Sequence, residues 1–77
     1  MILITESDDG SFICTHPESL QHGVGGTQNE AIDDFWDQVS GFVEEIDDRF
    51  ETVGPGIKAI YKKEHALFAK FENGEEV

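Results

Sequence analysis

The chain has 77 residues, enough for one domain and too few for a second core. A chain this short buries only about 60% of its unfolded surface, so six Phe and one Trp must supply much of the core, with a homodimer as a further source of stability. Seventeen acids against five bases give a net charge of −12, which disfavours direct binding to nucleic acid or anionic lipid and favours a basic protein partner.

The charge is unevenly spread. Residues 1–53 carry thirteen acids and one base, Arg49, whereas residues 54–77 balance four acids with four lysines. One cysteine excludes an internal disulfide. The opening MILITESDDG has no basic n-region and no apolar run of signal-peptide length, and no stretch reaches the ~20 apolar residues needed to span a membrane. The expected setting is the cytoplasm.

In chain order, Ile2–Thr5 and Phe12–Thr15 are short β-branched and aromatic runs around Asp9-Gly10, a hairpin signal. They predict two antiparallel strands, about 1–6 and 11–16, with Ile2 and Ile4 on one face of the first and Phe12 and Cys14 on one face of the second. Alternation this short leaves open which faces turn inward. Pro17 ends the second strand. Leu20–Val24 reads as a third, edge-like strand with Leu20, His22 and Val24 on one side. Gly23, Gly25 and Gly26 weaken it and turn the chain onward.

From Thr27 to about Phe50 the pattern is a single long helix. Ala31, Ile32, Phe35, Trp36, Val39, Phe42, Val43 and Ile46 recur at gaps of three and four and predict the core stripe. Asp33, Asp34, Asp37, Glu44, Glu45 and Asp48 line the opposite face and are the candidate partner-binding residues. Thr27 and Glu30 form the T-x-x-E pattern of a capping box. Gly41 inside the helix predicts a bend or a close approach of other backbone. Gly54-Pro55-Gly56 stops it.

Residues 57–72 keep helical spacing through Ile57, Ile60, Tyr61, Leu67, Phe68 and Phe71, broken only by Glu64, and Asn73-Gly74 is a good stop. A hairpin over 57–61 and 66–71 would need the turn Lys62-Lys63-Glu64-His65, which has no turn former. A second, C-terminal helix is the expectation, with 75–77 as a loose tail. The fold class expected is therefore α+β: a small two- to three-stranded antiparallel sheet against one long acidic amphipathic helix, plus that C-terminal helix.

Chemistry is sparse. Gly23-Val24-Gly25-Gly26-Thr27 precedes a helix as a phosphate turn would, but it lacks a lysine and is followed by acids, so a structural turn fits better. Cys14, His16 and His22 would make a soft metal site only if strands two and three brought them together, and scattered residues of this kind are more often structural. The carboxylates of a metal-dependent hydrolase would include Asp9 and Asp33. Acids strewn along an exposed helix do not form the pocket such chemistry requires. No catalytic residue, metal or cofactor is assigned.

Asp9-Gly10-Ser11-Phe12-Ile13, then Pro17, then Gly26-Thr27-Gln28-Asn29-Glu30-Ala31 with the acidic helix behind it resembles the N-terminal domain of HicB-like antitoxins over about residues 1–50. The resemblance implies a β-β-β-α-β domain, a shortened RNase H-like fold without working catalytic carboxylates, which covers a small basic RNase toxin. The chain departs from the family at Pro17-Glu18-Ser19-Leu20-Gln21, which lacks a second proline and the Gly-Cys pair. The DNA-binding domain appended in full-length members has no room in 77 residues, so operator binding is not part of the expectation. The function expected is a non-enzymatic inhibitor of a basic nuclease. An alternative is a nucleic-acid mimic, from phage or mobile element, acting on a restriction or CRISPR effector.

Overall fold

The computed structural model describes all 77 residues as a two-layer α+β fold. Strands β1 (Leu3–Glu6), β2 (Phe12–Thr15) and β3 (Gly23–Gly25) form an antiparallel sheet in the order β1-β2-β3. Helix α1 (Gln28–Asp48), a 3₁₀ turn (Phe50–Thr52) and helix α2 (Pro55–Glu72) follow. After the helix, where the HicB-like pattern implies a strand, the chain forms α2.

The β1–β2 turn is built as Asp9-Gly10 implies. Gly10 takes φ +87, and its N–H donates to the Ser7 carbonyl at 3.0 Å. The Asp9 carboxylate accepts from the Ser11 hydroxyl at 2.6 Å and the Ser11 N–H at 3.0 Å. Those two bonds hold its pKa below the ordinary value.

The register pairs Ile4 with Cys14 and Cys14 with Gly23, so these three share the face under α1. The third strand is shorter than 20–24 and begins at Gly23, because helix backbone lies directly against it. A Cβ at Gly23 would sit 2.2 Å from the Ala31 carbonyl oxygen and from the Phe35 nitrogen, and one at Gly25 would sit 2.6 Å from the Ala31 nitrogen. These glycines therefore do more than turn the chain: they let a helix rest on a strand with no side chain between. Val24 points the other way and is exposed, as are His22 and Leu20.

Strand β3 lies at one edge of the sheet. The Val24 N–H donates to Asp34 Oδ2 at 2.8 Å instead of to β2, so Ile13 and Val24 face each other as a non-hydrogen-bonded pair. The outward N–H of this edge is thus capped from α1. By the same alternation Ile4 and Glu6 turn their backbone groups outward on β1, and that edge is open.

Thr27 caps α1 by accepting the Glu30 N–H at 3.1 Å. The reciprocal half of the capping box is not made: the Glu30 carboxylate bonds to nothing, because Thr27 and Glu30 are both exposed and water serves as well. Ala31, Phe35, Trp36, Val39, Val43 and Ile46 are buried, and Cys14 and Leu67 join them in the core. Ile2, Ile4, Phe12 and Ile32 pack around it half-buried. Phe42 does not join that core. The sheet strands are three or four residues long and α1 has 21, so the helix outruns the sheet and leaves Phe42 half-exposed beyond it. Gly41 marks neither expected feature, since α1 runs through it without a break and nothing approaches within 4 Å of its Cβ position.

Helix α2 flanks α1 through aromatic rings. Trp36 meets Phe35 edge-on at 4.9 Å and stacks on Phe71 at 4.0 Å with 12° between planes. Tyr61 donates its hydroxyl proton to Asp47 at 2.8 Å, and that bond raises the phenol's pKa. Helix α2 starts on Pro55 at its first turn and ends in a Schellman motif. Gly74, at φ +75, donates to the Phe71 carbonyl at 3.1 Å, and Glu75 donates to that of Lys70 at 2.9 Å. The tail is not loose throughout, because Val77 returns to pack beside the core.

Candidate functional site

The outer face of α1 is the most strongly featured surface. Asp33, Asp37, Glu44 and Asp48 are all exposed, and none of their carboxylates makes a hydrogen bond or ion pair. Their spacing of four, seven and four residues puts them on one stripe of the helix. At about 1.5 Å per residue the row is about 22 Å long. Exposed Gly41 sits beside its middle and adds no side chain.

Two of the six expected partner-binding residues are otherwise engaged. Asp34 is half-buried and holds the Val24 N–H, with the Gln38 amide 3.5 Å from its other oxygen. It belongs to the helix–sheet junction, not to a free acidic face. Glu45 is exposed but pairs with Arg49 at 2.8 Å, the one ion pair in the molecule. The sole base of the first 53 residues is thereby occupied at the end of the row.

This row works against its own helix. Asp33 with Asp37 and Glu44 with Asp48 are like charges at i,i+4, each pair destabilising by about 0.2–0.5 kcal/mol. Asp47 and Asp48 stand in the last turn, where the helix dipole favours cations, and no base is there.

The scattered metal-ligand candidates do not converge. Cys14 is fully buried against α1, and burial raises its thiol pKa. His16 is buried and His22 exposed. The His16 Nδ1 accepts the Glu18 N–H at 3.0 Å, while Nε2 lies 2.9 Å from the Met1 amine. Burial, then the adjacent amino-terminal charge, lowers the His16 pKa below its ordinary 6.5, opposed by Glu18, the Val77 carbonyl and Glu64. Asp9 is committed to its turn, and Asp33 stands far along the sequence on the open helix face. No three His, Cys, Asp or Glu side chains are grouped to hold a metal ion.

The sequence reading missed Glu64. It interrupts the apolar stripe of α2, yet it is wholly buried. Its Oε2 accepts from the Gln21 side-chain amide at 3.0 Å and lies 3.4 Å from the Leu20 N–H, which ties the loop between β2 and β3 to α2. Oε1 is buried without a hydrogen-bond partner. An acid three residues from both Tyr61 and Leu67 on one helix face is the signal that pointed to it. Three shallow cavities are bordered by Pro17 and Glu18, and one of them is lined by Glu64.

No helix is long and apolar enough to cross a membrane. No family model, curated protein or solved structure matches the chain.

Proposed function

We propose that this chain is a non-enzymatic interaction protein that neutralises a small basic nuclease, in the manner of an antitoxin or immunity protein, through the outer face of α1. The observation that carries the reading is the row Asp33, Asp37, Glu44 and Asp48: four exposed, unpaired carboxylates kept at some cost to the helix. A face needed only for solubility works as well with both signs interspersed. A single-sign row draws in a basic partner and orients it. The HicB-like pattern over residues 1–50 agrees with this partner class, and the cytoplasm is its natural setting.

The test is Asp37→Lys with Glu44→Lys. Both sites are exposed, so the variant should keep its stability within about 0.5 kcal/mol per site. It should associate more slowly with a small basic nuclease partner, and its binding should depend less on salt. Wild-type binding by the double variant would remove the α1 face from the interaction.

The length of the row also favours a second reading, in which the carboxylates stand in for the phosphates of a strand. A mimic displaces DNA or RNA from several nucleic-acid-binding effectors, whereas an antitoxin abolishes cleavage by one toxin and ignores other nucleases.

A further inference from the structure

Glu64 is a second acidic feature, separate from the α1 face. A cavity of about 130 Å³ lies between the loop from Pro17 to Leu20 and α2, lined by Ile60, Lys63 and Glu64 on the helix side. Glu64 is fully buried, its Oε2 holds the loop through Gln21 and Leu20, and its Oε1 has no donor. Buried carboxylate oxygens are almost always hydrogen-bonded, and Oε1 is the buried acceptor here with no partner in the fold, so it can take a donor from outside it.

The surroundings narrow that donor. Two carboxylates, Glu18 and Glu64, and one ammonium, Lys63, border the cavity, in a molecule of net charge −12, so a cation is favoured over a neutral donor. A metal ion would need more oxygen ligands than two separated carboxylates supply, and no cluster of three ligating side chains exists. Pro17, Leu20 and Ile60 give the cavity carbon walls. Those suit a guanidinium, which is planar and weakly hydrated, better than the compact, strongly hydrated ammonium of lysine.

We propose that this cavity seats an arginine side chain of a basic protein partner, with Glu64 Oε1 accepting one guanidinium N–H. The proposal rests on the reading above only for the class of partner. Entry requires the loop to lift from α2. What holds it at this point is the Gln21 amide and the long 3.4 Å approach of the Leu20 N–H, and Leu20 itself is 72% exposed. The arginine would thus give Oε1 the partner it lacks, and the Leu20 and Gln21 amides would report its arrival.

The experiment follows those amides by ¹H–¹⁵N NMR while N-acetyl-arginine amide, or its neutral isostere N-acetyl-citrulline amide, is titrated into the full chain. The expected result is a saturable shift at Leu20 and Gln21 with arginine, at least about tenfold weaker with citrulline, as a charge-assisted bond demands. Glu64→Gln should abolish the shift, because the acceptor Oε1 is replaced by an NH₂ group that donates and cannot accept a guanidinium N–H. Asp37→Lys with Glu44→Lys should leave it intact. Equal responses to arginine and citrulline, a response that survives Glu64→Gln, or shifts confined to α1 would each overturn the seat. No response at all would overturn it as well. Should Glu64→Gln fail to fold, the arginine-to-citrulline ratio on the wild-type chain still decides. Saturation at Leu20 and Gln21 with no capture of a basic nuclease would leave the seat standing and remove the functional reading.

Discussion

The two halves of α1 are held down by different means. Its first half rests on β3 backbone to backbone, over Gly23 and Gly25, with no layer of side chains between. Its second half has outrun the sheet and is met by α2 through side chains, as where Tyr61 donates to Asp47. The first contact is short and unforgiving, since any added atom meets main chain. The second is made of side chains that can shift, and it tolerates a half-exposed Phe42. Specific alignment of helix and sheet comes from the first half, while both halves share the apolar burial, Ala31, Phe35 and Trp36 in the first and Val39, Val43 and Ile46 in the second.

Trp36 is where the sheet side of the core and α2 meet, because it touches Phe35 on α1 and Phe71 on α2. Trp36→Ala should cost about 3–5 kcal/mol, a large share of what a domain of this size has to lose, and urea denaturation should find the variant largely unfolded. Gly23→Ala tests the first half alone. Its methyl would lie 2.2 Å from two main-chain atoms of α1, so a loss of about 1–3 kcal/mol is expected despite the smallest of substitutions. A neutral result would show that the helix can ride up from the strand at no cost. Gly41→Ala tests the second half, where nothing lies within 4 Å. It should raise stability by up to about 1 kcal/mol, and the opposite signs of the two Gly→Ala changes are the sharpest form of the comparison.

The smallest effect concerns pH. The His16 pKa is lowered in the folded state by burial and by the amino-terminal charge. The unfolded chain therefore takes up that proton first. His16 leaves stability untouched above about pH 6.5 and erodes it as the pH falls below that, until the folded form titrates as well. Melts across that range should slope downward toward acid, and His16→Gln should flatten the slope.

Much of this architecture was legible in the residues. The three-and-four spacing from Ala31 to Ile46 located α1 and its buried stripe, and the missing turn former at Lys62–His65 settled helix against hairpin for α2. Asp9-Gly10 located the turn. What was not legible depends on partners far along the chain. Gly23 and Gly25 read as weak strand residues because their function is to admit a helix that begins three residues after Gly25. Asp34 lies on the acidic face by periodicity alone, and only the position of β3 shows that it is occupied. Phe42 satisfies the apolar pattern but lies where the sheet has ended. Of the acidic face, Asp33, Asp37, Glu44 and Asp48 stand free where the pattern put them. Glu64 was misread because a lone acid on an apolar stripe looks like an interruption until the loop it holds is in view.

The unequal edges of the sheet set a limit on assembly. Asp34 occupies the outward N–H of β3, while the outward backbone groups of Ile4 and Glu6 on β1 have no cover. A sheet that can add a strand on both sides propagates without end, and such growth is how fibres begin. One that can add a strand on a single side closes as soon as two copies meet across a twofold axis. In this chain a carboxylate on the helix therefore occupies the outward N–H that a strand arriving beside β3 would need, and leaves β1 as the edge with free backbone groups.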